Sequence, residues 1–298
     1  MLAETNISLE IDYYEEIRIE NTNHCGYKCF FCPREELTRD RGFMSIEDLA
    51  LVLDRVGEYK GKVDLHGFGE PLLDRSLAQK ASLIKKVWPE AKSRIISTLG
   101  VPLKDNAIDE IVMSGLSTIE VSFYGVDEAS YKESHGVNKF ERVKENIARI
   151  MSRIRALGSA MELVIREFPT HDDITQPGYT KSKKEELATW LQDQGVKVFR
   201  QNVIHNYGGG RAYNKPETKG VCSVVWGFRK RILQVTWDLD IIPCCFDSNS
   251  TVIFGNLRKQ QLSEVFAGEK YTDFIEAHKK NEISQYDVCV KCERCFKP

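Results

Sequence analysis

The sequence predicts an α/β fold, a partial (β/α)6 barrel followed by a small, cysteine-rich C-terminal domain of a β-hairpin and a helix. Three observations carry this expectation. Short runs rich in Val and Ile alternate about six times with segments of helical period, which is the pattern of a parallel sheet wrapped by helices. The alternation then gives way to a stretch holding Gly208, Gly209 and Gly210, and six of the nine cysteines follow it. A chain of 298 residues with such a tail leaves too little for a closed eightfold barrel of ~250 residues. The expected division is 1–207 barrel, 208–221 linker and 222–298 cysteine-rich domain, with a hinge preferred over a phosphate cradle for the three glycines.

In chain order, Glu16–Glu20 reads as the first strand and leads into a loop holding Cys25, Cys29 and Cys32. Ser45 is placed to cap a helix whose first turn carries Glu47 and Asp48, with Leu49, Val52, Leu53 and Val56 at helical spacing. Strands are expected at 62–66, 93–98, 118–124, 161–166 and 196–200. Helices are expected near 74–88, 104–114, 127–134, 139–156 and 182–194. In the tail, 232–237 and 240–243 read as a hairpin around Asp238-Leu239, with one helix at about 261–279.

Composition narrows the function classes. Lys+Arg 42 against Asp+Glu 44 gives a formal net charge of −2, so no global field favours nucleic acid or an anionic membrane. The first residues lack the basic and apolar regions of a secretory signal, and no apolar run reaches the ~18 residues of a spanning helix. Nine cysteines without such a signal point to a reducing, cytoplasmic setting and to metal ligation.

Cys25-Gly26-Tyr27-Lys28-Cys29-Phe30-Phe31-Cys32 places three thiols at n, n+4 and n+7. A cubane iron–sulfur cluster normally takes four thiolates, so three from one loop leave an iron open to a non-protein ligand. A zinc site completed by His24 and a set of core cysteines are the other readings. The spacing resembles the CxxxCxΦC motif of the radical S-adenosylmethionine (radical SAM) superfamily, with Phe31 as Φ. The resemblance implies a [4Fe–4S] cluster on Cys25, Cys29 and Cys32, SAM bound to the open iron, and reductive cleavage of SAM to a 5′-deoxyadenosyl radical.

The same resemblance assigns SAM-binding roles. Gly69-Glu70-Pro71 is similar to the GGEP-type segment that accepts the SAM amino group, although Phe68 interrupts the glycine pair. Pro71 cannot donate to a ladder, so pairing is expected to stop there and leave carbonyls free. Ser97 stands where the family often has a T-N-G segment, here altered at Leu99; Ser122 falls in the fifth-strand pattern. Arg166 is expected either to clamp the SAM carboxylate or to form a salt bridge.

The second cysteine set resembles the SPASM/Twitch extension, and 2-deoxy-scyllo-inosamine dehydrogenases are the Twitch-type relatives. That resemblance places a second [4Fe–4S] cluster on Cys222, Cys244, Cys289 and Cys292, with structural zinc as the alternative. Cys245 is then either a packed thiol or a hydrogen-atom donor facing the cavity, and Cys295 an alternative ligand or part of a frayed terminus.

The resemblance implies a radical SAM oxidoreductase. It would abstract hydrogen from a substrate carbon and pass the second electron to the auxiliary cluster, with flavodoxin or ferredoxin as external reductant. An epimerase using Cys245 and a maturase of a ribosomal peptide are the alternatives; only about 15 residues precede the first strand, which disfavours a leader-binding domain. Sugar, aminocyclitol, nucleoside and peptide substrates are all left open, with Tyr207, Arg211 and Phe246 as candidate contacts.

Overall fold

The computed structural model describes residues 14–167, 181–200, 207, 221–222, 224–225, 231–292 and 295–296. Its parallel strands are β1 (Tyr14–Ile19), β2 (Lys62–Asp64), β3 (Lys92–Ser97), β4 (Thr118–Ser122), β5 (Glu162–Glu167) and β6 (Lys197–Arg200). Helices α1 (Ile46–Val56), α2 (Leu77–Val87), α3 (Asp105–Met113), α4 (Glu128–His135), α5 (Phe140–Leu157) and α6 (Lys181–Asp193) lie between them. The tail adds β7 (Val221–Cys222), β8 (Arg231–Val235), β9 (Asp240–Ile242), β10 (Gly255–Asn256), α7 (Leu262–Ala267), α8 (Glu269–Lys280), α9 (Asp287–Val290) and β11 (Cys295–Phe296).

One sheet runs β10-β9-β8-β1-β2-β3-β4-β5-β6, so the six barrel strands stand side by side in chain order. Ile17, Val63, Ile95 and Ile119 are fully buried at its centre. Burying such side chains is worth ~1.5–3 kcal/mol each. Ser45 caps α1 by accepting the Asp48 N–H at 2.9 Å, and Leu49, Val52, Leu53 and Val56 are its buried face. The long α5 buries Val143, Ile147 and Ile150 and stops at Gly158, whose φ of 62° suits a residue without Cβ.

Several expectations are corrected. Helix α2 begins only at Leu77, because Pro71–Leu73 forms a 3-10 turn and Asp74 Oδ1 takes the Ser76 N–H at 2.9 Å. The carbonyls of Glu70 and Pro71 are not free; that turn fills them with the N–H groups of Leu73 and Asp74, both at 3.0 Å. The single helix at 261–279 is two, parted at Gly268, whose ψ of 151° is extended. Cys295 does not fray: β11 pairs antiparallel with β7, Cys295 opposite Cys222.

The hairpin β8–β9 forms as expected, turning at Leu239 with φ 73°. Strand β8 also pairs in parallel with β1, from Tyr14 opposite Arg231 to Ile19 opposite Val235. The hairpin therefore extends the barrel sheet. The glycine stretch at 208–210 lies outside the described residues.

Candidate functional site

Ligand sites of parallel α/β sheets lie at the carboxyl ends of the strands. Here a cavity of about 500 Å³ opens there, within the ~300–1,000 Å³ of small-molecule sites. Cys25, Cys29 and Cys32 border it on one side, Cys245 and Phe246 on another.

The three-thiol loop is held by backbone bonds to the end of α4: Lys28 N–H to His135 O at 3.1 Å and Phe30 N–H to Ser134 O at 3.3 Å. Gly136 follows with φ 71°, and a Cβ there would lie 2.6 Å from the Lys28 carbonyl oxygen. The approach requires glycine. Burial, and then the neighbouring Cys32 and Cys25, push the Cys29 thiol well up; burial foremost raises Cys25. Three thiols brought together in one loop, two of them raised by burial, fit a cationic iron–sulfur centre, which takes them as thiolates. Among the described residues no three acidic, His or Cys side chains converge as tightly as one bare ion requires. His24 does not border the cavity and stacks on Phe43, ring centroids 4.7 Å apart.

Glu70 is almost fully buried at the cavity wall, gripped through both oxygens. Oε1 accepts from Ser97 Oγ at 2.6 Å and Leu72 N at 3.1 Å; Oε2 accepts from Thr98 N at 2.8 Å and Thr98 Oγ1 at 2.7 Å. Gly69 allows this placement, because a Cβ would stand 2.3 Å from the Thr22 carbonyl oxygen. The Glu70 N–H reaches His24 O at 2.8 Å, tying the segment to the approach to Cys25. Pro71 starts the turn that aims the carboxylate.

Ser122 and Arg166 are register partners on β4 and β5, and both border the cavity. Arg166 pairs with Glu120, and its guanidinium lies 5.3 Å from the Phe199 ring centre. Of its two expected roles the salt bridge is present, while the side chain still reaches the cavity. Phe31 meets Tyr124 edge to face at 4.9 Å.

A charged lattice borders the cavity through Glu16, Arg18, His66 and Arg94. Arg94 bonds Asp64 through Nε at 2.7 Å and Glu120 through Nη1 at 2.9 Å; Arg18 pairs with Glu16. Burial alone would raise Asp64, yet His66, Arg94 and Arg18 hold it well below the usual carboxylate range. His66 is depressed to about 3 by burial, with Arg18, Arg94 and Arg166 adding and Asp64 opposing. Glu16 is raised, chiefly by burial, with Asp64 adding. The same cavity is lined by three rings, Phe68–Tyr207 at 5.9 Å and Tyr207–Phe246 at 5.6 Å. Arg211 lies outside the described residues.

Cys222, Cys244, Cys289 and Cys292 form a second group. In all six pairings one thiol raises the other's pKa by charge proximity, on top of a larger rise from burial. Phe246 N–H points to Cys244 Sγ at 3.4 Å. Cys245 borders the cavity, within the electrostatic reach of Arg18, and after burial it is the foremost influence raising Cys244. The donor set therefore fits a second iron–sulfur group, with Cys245 beside it at the cavity border.

Arg18 and His135 belong to the cavity but carry no motif signal, whereas Thr98 and Phe68 lie inside the segments that hold Ser97 and Glu70. Thr98 was within reach as the neighbour of Ser97. No spacing rule marks His135, contributed by a helix about 100 residues from the loop it touches.

Comparison with known proteins agrees with this anatomy. The radical SAM superfamily profile matches residues 19–168, and the SPASM profile, an iron–sulfur cluster-binding domain, matches 222–295. A probable GTP 3′,8-cyclase of Saccharolobus solfataricus is 35% identical over 134 residues, 45% of this chain and 42% of the relative. One of Sulfurisphaera tokodaii is 34% identical over 140 residues. The match thus spans about two-fifths of the length of these relatives. Among solved structures, BtrN in complex with AdoMet and 2-DOIA aligns with a TM-score of 0.62 at 19% identity, covering 94% of this chain and 93% of that one. Streptococcus suis SuiB bound to its precursor peptide SuiA aligns with a TM-score of 0.63 at 14% identity, covering 94% and 71%. At these identities the structural likeness speaks for the fold.

Proposed function

The chain belongs to the radical SAM superfamily, and from that premise we propose that it dehydrogenates a small polyhydroxylated substrate, removing two electrons from a carbinol carbon. The observation that carries this reading is one cavity bordered both by the three-thiol loop and by Cys245-Phe246, next to the second thiol group. A substrate held there lies between a site of hydrogen abstraction and an electron acceptor. The first cluster with SAM supplies a 5′-deoxyadenosyl radical when bound, and the cofactor carries the hard chemistry.

The chain's own residues do the positioning. Glu70, oriented by Ser97 and Thr98, receives the SAM ammonium; Ser122 and Arg166 face the rest of that ligand. Phe68, Tyr207 and Phe246 offer faces for the apolar side of a cyclitol or sugar ring, and the charged lattice meets its hydroxyls. Glu16, whose burial raises its proton affinity, takes the hydroxyl proton. A flavodoxin- or ferredoxin-class protein supplies the first electron.

The test is anaerobic turnover with SAM, dithionite and a panel of cyclitols, amino sugars and GTP. The reading expects a ketone and one 5′-deoxyadenosine per turnover from a cyclitol or sugar; a cyclised product from GTP alone overturns it. The cavity-facing Cys245 favours a second reading, epimerisation with its S–H as hydrogen-atom donor. Solvent deuterium at the product carbon, lost in Cys245→Ala, would establish that instead.

A further inference from the structure

We propose that His135 is a positioning and tuning residue of the three-thiol site, donating an Nδ1–H···S hydrogen bond to Cys29. The imidazole is fully buried, and its Nδ1 lies 3.3 Å from Cys29 Sγ. On the other side of the ring, Nε2 lies 3.3 Å from the backbone N of Tyr124. A backbone N–H only donates, so Nε2 must present a lone pair. The ring is then neutral with its proton on Nδ1, which aims that proton at the sulfur.

The surroundings leave the ring no other pose. Tyr124 stacks parallel to it at 5.1 Å and 1°, Tyr131 lies 4.2 Å away, and Tyr27 meets it edge-on at 5.5 Å. The Lys28 N–H bonds the histidine's own carbonyl at 3.1 Å, so ring and loop are registered together. Hydrogen bonds to the sulfurs help set iron–sulfur reduction potentials, because a donor stabilises the more negative, reduced state. His135 thus makes the cluster easier to reduce for a weak one-electron donor. Fixing Cys29 against α4 also limits the loop's freedom to rearrange.

The test uses reconstituted full-length protein without SAM. His135→Phe keeps a ring but removes the donor, and His135→Gln restores an N–H. Iron and sulfide content and the cluster's absorbance establish that each variant is loaded. The expected results are a more negative midpoint potential in His135→Phe, partial recovery in His135→Gln, and a weak ¹⁵N hyperfine coupling on the reduced cluster of ¹⁵N-histidine-labelled wild type that vanishes in His135→Phe. Equal potentials in the three proteins, or a coupling that persists in His135→Phe, overturns the proposal. If His135→Phe fails to load iron, the label experiment on wild type against His66→Gln decides: a coupling that survives in His66→Gln supports His135 as its source, and one lost there overturns it.

Discussion

Ser97 Oγ donates to Glu70 Oε1 at 2.6 Å, joining the end of β3 to the turn after β2 across 27 residues of chain. With Thr98 completing the grip, the carboxylate is set in one orientation before any ligand arrives. Preorganised acceptors of this kind lose less on binding than mobile ones.

Replacing Glu70 by Gln should therefore weaken SAM binding by at least tenfold, measured by equilibrium dialysis on iron-loaded protein, with iron content unchanged. Ser97→Ala should weaken it less, since Thr98 and Leu72 still hold the carboxylate. An unaltered Kd in Glu70→Gln would remove the residue from the SAM site.

Gly69→Ala brings a methyl against the Thr22 carbonyl, a contact real structures do not show. Overpacking typically costs ~1–3 kcal/mol. The expected outcome is a lower Tm together with poorer cluster loading, because the displaced backbone leads directly to Cys25.

Iron counts separate the two thiol groups. Anaerobically purified wild type should hold about eight irons, at four per cubane. Each of Cys289→Ala and the triple alanine variant of Cys25, Cys29 and Cys32 should fall to about four. Only the Cys289 variant should still cleave SAM, and it should form no ketone.

His66 should make the fold acid-sensitive. Its folded pKa of about 3 lies below the ~6.5 of an unfolded histidine, so below pH 6.5 the unfolded chain binds a proton that the folded chain refuses. Stability is complete above pH 6.5 and is lost toward pH 3, by ~1.4 kcal/mol per pH unit from this residue. The groups around it are Asp64, Arg18, Arg94 and Arg166. In His66→Gln, the fall of stability between pH 7 and pH 5 should be shallower than in wild type.

The legibility of the sequence was uneven for physical reasons. Six parallel strands with their five helical crossovers, the α1 cap at Ser45 and the hairpin at Asp238-Leu239 follow from local periodicity and turn chemistry, which short windows contain. The break at Gly268 depended on a single extended ψ within an otherwise helical pattern. The parallel pairing of β8 with β1 joins segments more than 200 residues apart and leaves no local trace. His135 is the same problem at a single residue: its ring matters through Cys29 and Tyr124, and neither neighbour is visible from Tyr131 or Gly136. Leu99, at φ 53° where Asn or Gly is easier, explains why the segment departs from its expected pattern without losing its shape: its N–H reaches Ser97 Oγ at 2.9 Å.

The ladder between β1 and β8 has a mechanical consequence. Strand β1 leads into the first thiol loop, and the β8–β9 hairpin leads into Cys244, so the placement of the two thiol groups is set by backbone rungs between β1 and β8. In the proposed dehydrogenation, an electron crossing between them would meet a tunnelling distance as rigid as a sheet. Lengthening the 208–210 stretch should leave its transit rate untouched, whereas one proline in β8 should change it.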